Sequence, residues 1–155
     1  MNWEAVGAIG EILGAVVVVA TIFYLAIQIR HSHRSNQMVA ASRIAESADA
    51  WLGRLVQDKE LNDIYQNGKR DYSSLEQSDQ SRFDLLIVQF LRSIEAAWTQ
   101  DELGVLDKNQ WYGYKMTTRH IIGSHGGSVA FDKMRTSFSP AFCTAVEEII
   151  SSTEE

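Results

Sequence analysis

The chain has 155 residues, a formal net charge of −6 and a single cysteine, Cys143. A nucleic-acid partner is not expected, because phosphate binding needs a basic surface and the acids here outnumber the bases. The lone cysteine cannot form an internal disulfide, so nothing in the sequence calls for an oxidising compartment. The length allows one ordinary domain beside one membrane-spanning segment.

An almost unbroken apolar run occupies residues 6–29 and contains one charged residue, Glu11. Two dozen helical residues extend about 36 Å, which is enough to cross a hydrocarbon core of about 30 Å. The first four residues, MNWE, carry no Lys or Arg and the run is long, which argues against a cleaved signal peptide. The sequence therefore predicts one transmembrane helix over residues 1–30 and a helical domain over residues 31–155.

The flanks of the apolar run predict its orientation. Arg30, Arg34 and Arg43 follow the run with no acid before Glu46, whereas the preceding flank holds only Glu4. The positive-inside rule then places the C-terminal domain in the cytoplasm and the N-terminus outside. The residues expected to form a weakly basic collar beside the membrane are Arg30, His31, His33 and Arg34.

One face of the apolar run collects most of its small and polar residues. In a heptad register this face contains Glu4, Gly7, Glu11, Gly14, Val18, Thr21, Leu25 and Gln28. Gly10 and Gly14 also form a G-x-x-x-G pair. Small residues let helices approach closely in lipid, so this face is predicted to pack against another membrane helix. The alternative is that glycine is simply common in membrane helices.

Glu11 needs a partner if it lies within the bilayer. An ionised carboxylate facing lipid costs at least about 2.5 kcal/mol, and no Lys or Arg precedes Arg30 on the same helix. Three interpretations stay open: contact with a neighbouring helix, a ring of Glu11 side chains lining a cation-conducting pore, or a partly hydrated side chain without function at a shallow depth.

Beyond the collar, apolar residues recur at helical spacing, which predicts that the membrane helix continues. The predicted face contains Ala41, Ile44, Ala48, Trp51, Leu55, Leu61, Ile64 and Tyr65. This helix is expected to end near Asn67 and Gly68, a common C-terminal signal, and residues 68–73 are expected to form a polar connection.

Caps and periodicity predict two longer helices next. Ser73 and Glu76 have capping-box spacing at the start of a helix that ends at about Gly104. Its apolar face contains Phe83, Leu86, Ile87, Phe90, Leu91, Ile94, Ala97 and Trp98. Asp107 is predicted to cap the following helix, which ends before Gly123 and packs antiparallel to the first.

Two shorter helices are predicted near the C-terminus. Gly126 and Gly127 are expected to break the chain, after which Ser128 caps a short helix. Ser139 and Pro140 then begin the last helix. No strand is predicted. The expected fold class is all-α, with a single N-terminal transmembrane helix continuing into an antiparallel cytoplasmic helical bundle.

No grouping of residues predicts a metal site, a cofactor or catalysis. His31 and His33 point nearly opposite ways on a helix, and no Cys or close acid completes a zinc site. The GSHGGS segment at residues 123–128 lacks the G-K-[ST] ending of a phosphate-binding loop and is predicted to be a turn. Cys143 lies among apolar residues and is predicted to be a small core residue. An enzyme is therefore not expected.

Two features of the bundle leave alternatives open. Glu95 adjoins the apolar face of the long helix, and Arg92 or Arg119 is the expected donor to a partly buried carboxylate. Four aromatic residues are predicted either to form core or to line a ligand pocket between helices. They are Trp98, Trp111, Tyr112 and Tyr114.

Three segments carry a resemblance to known sequences: NWEAVGAIGEILGAVVVVATIFYLAIQIR, ELGVLDKNQW and FDKMRTSFSPAFCTAVEEII. They resemble a group of small uncharacterised bacterial membrane proteins with an N-terminal span and a helical remainder. The resemblance implies a bacterial inner-membrane protein, and it brings no activity and no functional residue. The positions that look family-like are Trp3, Glu4, Gly7, Gly10, Glu11 and Gly14.

Two functions follow as expectations. The first is a homo-oligomeric inner-membrane protein whose spans pack through the Gly7, Glu11 and Gly14 face, with or without a cation-conducting pore at the centre. The alternative is a non-catalytic accessory or sensor subunit that uses the same face to dock on another membrane protein. Membrane lipid is an expected partner of both.

Overall fold

The computed structural model describes the backbone of residues 3–152 and the side chains of residues 14, 17–32, 38–39 and 41–152. The chain divides into two compact units, Met1–Ala40 and Ala41–Glu155. Helices dominate both units, and no strand occurs among the described residues. The prediction of an all-α fold is therefore confirmed.

The α-helices are α1 (Trp3–Gln57), α2 (Lys59–Arg70), α3 (Gln77–Glu102), α4 (Lys108–Ile122), α5 (His125–Met134) and α6 (Pro140–Ser151). Two 3₁₀ turns, Tyr72–Ser74 and Arg135–Ser137, lie between α2 and α3 and between α5 and α6. The last part of α1, from Ala41 onward, belongs to the second unit together with the other helices.

In the first unit, the described part of α1 exposes large apolar side chains on all sides. Their exposed fractions range from 49% to 67% over Val17, Val18, Val19, Ile22, Phe23, Tyr24, Leu25, Ile27 and Ile29. Within the residues that the structure describes, none of the helices combines the length and the apolarity needed to cross a membrane.

The second unit is a helical bundle with α3 at its centre. Helix α3 packs against α2, α4 and α5, and α4 packs against α5 and α6. Phe83, Ile87, Leu91 and Ile94 follow one another along α3 and are at most 1% exposed. Each buried apolar side chain of this size contributes about 1.5 to 3 kcal/mol through removal from water. The predicted apolar face of the long helix is confirmed.

The helix predicted to run on to Asn67 and Gly68 is two helices, so that prediction is wrong. The Asp58 side chain accepts a hydrogen bond from Leu61 N at 3.0 Å, and its extended backbone ends α1 and begins α2. Helix α2 then continues past Gly68 to Arg70. Gly68 is a packing position, because a Cβ there would lie 2.6 Å from Phe83 Cδ2.

The capping box predicted at Ser73 is also wrong. Ser73 lies in the first 3₁₀ turn, where the Asp71 carboxylate accepts bonds from Ser73 N at 3.0 Å and Ser73 Oγ at 2.6 Å. Helix α3 begins at Gln77, after Glu76, whose side chain makes no capping bond. The predicted end near Gly104 is confirmed, because this residue follows the helix with a φ of 66° that favours glycine.

The caps at the later helices divide into two confirmed predictions and one error. Asp107 caps α4, and Ser139 caps α6 with Pro140 in its first turn. The cap of α5 is Ser124, which accepts from Gly127 N at 3.1 Å, and not Ser128. The GSHGGS segment is therefore a turn only at its start, where Gly123 follows α4, and Gly126 and Gly127 lie within α5.

Replacing Asp107 with alanine is expected to destabilise the second unit by about 1 kcal/mol. Its Oδ1 accepts hydrogen bonds from Asn109 N at 2.9 Å and from Gln110 N at 3.3 Å, and alanine leaves both donors without this partner. Urea unfolding of the full chain, followed by circular dichroism, measures the change. Asp107→Asn keeps a capping oxygen and serves as the control; equal losses in both variants would contradict the capping role.

Candidate functional site

The predicted membrane interface lies only partly within the described side chains. Glu4, Gly7, Gly10, Glu11, His33 and Arg34 lie outside them. The remaining predicted residues, Gly14, Thr21, Gln28, Arg30 and His31, are all exposed. The structure therefore does not show whether the described residues of the predicted interface lie beside those outside the described side chains.

Gly14 differs from the packing glycines of the bundle. A Cβ built on Gly14 meets no atom within 4 Å, whereas one built on Gly126 would lie 1.7 Å from Gly68 O. Gly127 is equally confined, with Ile121 O at 2.1 Å from a built Cβ. The small size of Gly14 is therefore not used for packing against described residues of this chain.

In the second unit, a groove of about 400 Å³ lies between the end of α1, α2 and α4. Its apolar walls include the buried side chains of Trp51, Leu55, Tyr65 and Ile121. At its rim, Leu52 is 52% exposed and Val56 is 84% exposed. An adjoining cleft of about 150 Å³ shares Trp51, Leu52 and Thr117 with the groove and extends it towards Ala48 and Tyr114.

The indole of Trp51 is held in place at the wall of this groove. Its Nε1 donates a hydrogen bond to Leu86 O at 2.9 Å. The ring meets Tyr65 edge-on, with centroids 5.3 Å apart, and packs against Phe90 at 5.4 Å. Burial raises the pKa of the Tyr65 hydroxyl, so the phenol stays neutral. The part of the wall that Trp51 and Tyr65 form is therefore closely packed and uncharged.

The polar residues of the groove are concentrated around Lys69. Lys69 Nζ lies 2.8 Å from His120 Nε2 and 5.8 Å from the centroid of the Tyr65 ring. Because the ammonium has only donors, Nε2 of the imidazole is the acceptor in this contact. Among the described residues, no carboxylate lies within 4.0 Å of Lys69 Nζ, so its positive charge has no counter-ion there.

The four predicted aromatic residues do not form one cluster. Trp98 and Trp111 line a separate cleft of about 310 Å³, together with Asp101, Glu102, Lys115 and Glu148. Trp98 also packs against Phe142, with centroids 5.8 Å apart. Tyr114 lines the apolar cleft beside the groove, and Tyr112 is 49% exposed. Core packing and pocket lining are thus divided among the four residues.

Of the two donors predicted for Glu95, the structure shows Arg92. Arg92 Nη1 lies 2.9 Å from Glu95 Oε2, and its Nη2 donates to Ser137 O at 2.7 Å. Arg119 donates instead through Nε to Ile149 O, also at 2.9 Å. Arg92 therefore joins α3 to the 3₁₀ turn that precedes α6, and its pair with Glu95 is a stabilising contact within α3.

Cys143 is confirmed as a core residue. It is 2% exposed, and burial raises the pKa of its thiol, so the reactive thiolate is disfavoured. His31 and His120 are exposed. In the described part of the chain, no group of three His, Cys, Asp or Glu residues is placed to hold a metal ion.

Sequence reasoning missed a partly buried polar cluster formed by Tyr72, Asp84 and Lys133. Asp84 is 5% exposed, and its Oδ2 accepts from Lys133 Nζ at 2.6 Å and from Tyr72 OH at 3.1 Å. Lys133 Nζ also donates to Tyr72 OH at 2.8 Å. These bonds raise the pKa of the Lys133 ammonium. The cluster joins the 3₁₀ turn, α3 and α5, and none of the three recesses described above includes it.

One signal for this cluster is present in the sequence. Asp84 lies three and seven residues before Ile87 and Leu91, so helical spacing places it beside the buried face of α3. A carboxylate in that position needs a donor. The donors come from distant elements, and the sequence alone does not indicate which ones.

Comparisons with known proteins return no match among family models, curated proteins or solved structures. The resemblance to small bacterial membrane proteins therefore stays a prediction. The two features of the molecule that bear on function are the exposed apolar helix of the first unit and the groove of the second.

Proposed function

We propose that this chain is a single-pass membrane protein that self-associates through its apolar N-terminal helix and holds a helical bundle at the cytoplasmic face. The observation that carries the proposal is the exposure of nine large apolar side chains between Val17 and Ile29. Leaving so much apolar surface in water forgoes about 25 cal/mol for each Å². A bilayer supplies the missing burial on every side of the helix.

The polar residues of this stretch support the same environment. Thr21 Oγ1 donates to Val17 O at 2.8 Å, and Gln28 Nε2 donates to Tyr24 OH at 2.9 Å. Both side chains thus find hydrogen-bond partners on their own helix, as hydrocarbon surroundings demand. The proposal also rests on the full apolar run at residues 6–29, of which residues 6–13, 15 and 16 lie outside the described side chains.

Self-association is proposed from the glycines and the acid on one face. Gly14 has open space where a Cβ would lie, so its small size is available to a neighbouring helix. Glu11, three residues earlier on the same predicted face, needs a polar partner that a second copy supplies. If the Glu11 carboxylates of several copies form a ring around water, the assembly conducts cations through that ring.

The proposed location is a bacterial inner membrane, with the second unit on the cytoplasmic side. The support for the orientation is the charge of the flanks: Arg30, Arg34 and Arg43 on one side, Glu4 on the other.

Cysteine crosslinking in native membranes tests the interface. In a Cys143→Ala background, Gly14→Cys and Thr21→Cys place a thiol on the proposed face, and Phe23→Cys places one on the opposite face. Oxidation is expected to yield covalent dimers from the first two variants and little from the third. Equal yields at all three positions, or no dimer at any, would remove self-association through this face.

Two further measurements separate the related hypotheses. The mass of the particle solubilised in mild detergent distinguishes a monomer, a homo-oligomer and a complex with a different membrane protein, and the last result favours the accessory-subunit alternative.

Conductance in planar bilayers tests the pore. Wild type is expected to carry more cation current than Glu11→Gln if the ring exists, and equal currents or none would exclude it.

A further inference from the structure

We propose that the groove between the end of α1, α2 and α4 binds a single-chain amphiphile with an anionic head, such as a long-chain carboxylate. The proposal rests on two properties of this groove: its apolar part is uncovered, and one positively charged side chain, Lys69, lines it. The proposal is independent of self-association through the first helix, because every residue it uses lies in the second unit.

The apolar part of the groove suits an extended alkyl chain. From Ala48 to Val56, α1 lines the groove and the adjoining cleft over a length of about 12 Å. The groove volume of about 400 Å³ lies within the usual range for small-molecule sites and is small for a partner helix. Leu52 and Val56 stay uncovered at the rim, so an alkyl chain lying against them gains burial.

The charge of the groove selects an anionic head. The chain has 20 acids and a net charge of −6, yet no Asp or Glu lines the groove or the adjoining cleft. Lys69 is the cation of this surface, and the bond from its Nζ to His120 leaves further ammonium protons to donate. Gln66 and Asn62 add amide donors on the same wall. A carboxylate bound there receives charge-assisted hydrogen bonds.

The acidic cleft between α3, α4 and α6 provides an internal contrast. It is also lined by aromatic rings, but Asp101, Glu102 and Glu148 face it with one cation, Lys115. An anionic head is repelled there. The difference between the two recesses is the reason for assigning the amphiphile to the groove beside Lys69.

Binding of radiolabelled dodecanoate to the full-length chain in phosphatidylcholine nanodiscs tests the proposal, with empty nanodiscs subtracted. Saturable binding is expected, and unlabelled dodecanoate is expected to displace the radiolabelled ligand. Dodecanol and inorganic phosphate are each expected to displace it at least about tenfold less effectively. Displacement by dodecanol as effective as by dodecanoate would overturn the anionic head. If inorganic phosphate displaced the ligand at concentrations similar to those of dodecanoate, the alkyl chain would not contribute to binding, and the role of the apolar groove would be overturned.

Two pairs of variants locate the site. Lys69→Met is expected to raise the dissociation constant about tenfold, whereas Lys59→Met, at a lysine 91% exposed and paired with Asp63, leaves it unchanged. Val56→Asp places a charge at the rim and is expected to weaken binding similarly, whereas Leu85→Asp, at a position 64% exposed on α3, does not. Thermal unfolding checks that each variant is folded. Equal affinities within both pairs would place the amphiphile elsewhere and refute the proposal.

Discussion

Gly126→Ala is expected to destabilise the helical bundle by about 3 kcal/mol or more, at the upper end of the overpacking range. A Cβ at this position would lie 1.7 Å from Gly68 O and 2.7 Å from Gly68 C. Both are backbone atoms of α2, so relief requires α2 and α5 to move apart rather than a side chain to rotate. Moving them apart loses contacts around the buried Phe131 and Tyr65.

The control for this prediction is Gly113→Ala in α4. A Cβ on Gly113 meets nothing within 4 Å, and the residue is exposed within a helix. Alanine there is expected to stabilise the chain by about 0.5 to 1 kcal/mol through helix propensity. Thermal and urea unfolding of both variants measure the opposite signs. A Gly126→Ala variant as stable as wild type would show that α2 and α5 do not approach this closely.

Lys133→Met is expected to cost about 2 kcal/mol, because it leaves the Asp84 carboxylate buried without its cation. The loss is smaller than for a fully buried pair, since the Lys133 side chain is 51% exposed and water screens part of the interaction. Tyr72 OH, 3.1 Å from Asp84 Oδ2, remains as a single donor. Urea unfolding of the full chain measures the change.

A double variant makes this test specific. Asp84→Leu combined with Lys133→Met removes both charges, and it is expected to recover part of the stability lost in the single variant. Lys59→Met, at an exposed lysine, is expected to change stability by less than about 0.5 kcal/mol. Additive losses in the double variant would contradict a coupled pair.

The same pair predicts how stability depends on alkaline pH. The pKa of Lys133 is raised above the 10.5 of an ordinary lysine by its bonds to Asp84 and Tyr72. Its contribution is therefore fully present below about pH 10.5, and it declines above that as the unfolded chain loses the proton first. Wild type and Lys133→Met are expected to differ in stability by a constant amount at neutral pH and to converge only in strong alkali.

Much of the helical framework is predictable because its signals act over a few residues. Asp107 and Ser139 cap helices through bonds to amides two or three residues away, and Gly104 ends α3 with a left-handed backbone. The errors arise where a local signal competes with a tertiary contact or with a second local signal. Glycine often marks the end of a helix, but Gly68 lies within α2, where the absence of a side chain lets Phe83 pack against it. The signal at Ser73 fails because Asp71 caps a 3₁₀ turn there instead.

The candidate groove was beyond sequence reasoning. Its cation, Lys69, lies 51 residues from the imidazole of His120 that it contacts. Trp51 was predicted as one residue on a packed helical face, and that prediction is correct because it is 4% exposed. Its second role, as a wall of the groove, depends on where α1, α2 and α4 leave space. Periodicity predicts which face of a helix is buried, but it does not predict gaps between three helices.

By itself, the sequence determined the all-helical fold, the buried face of α3, the caps at Asp107 and Ser139 and the apolar character of the N-terminal run. These properties follow from periodicity and from hydrogen bonds between near neighbours. Only the tertiary structure decided the contact of Gly68 with Gly126, the partners of Asp84 and the acid-free groove. Those features join residues from different helices, such as Asp84 and Lys133, which are 49 positions apart, and their geometry depends on how whole helices pack.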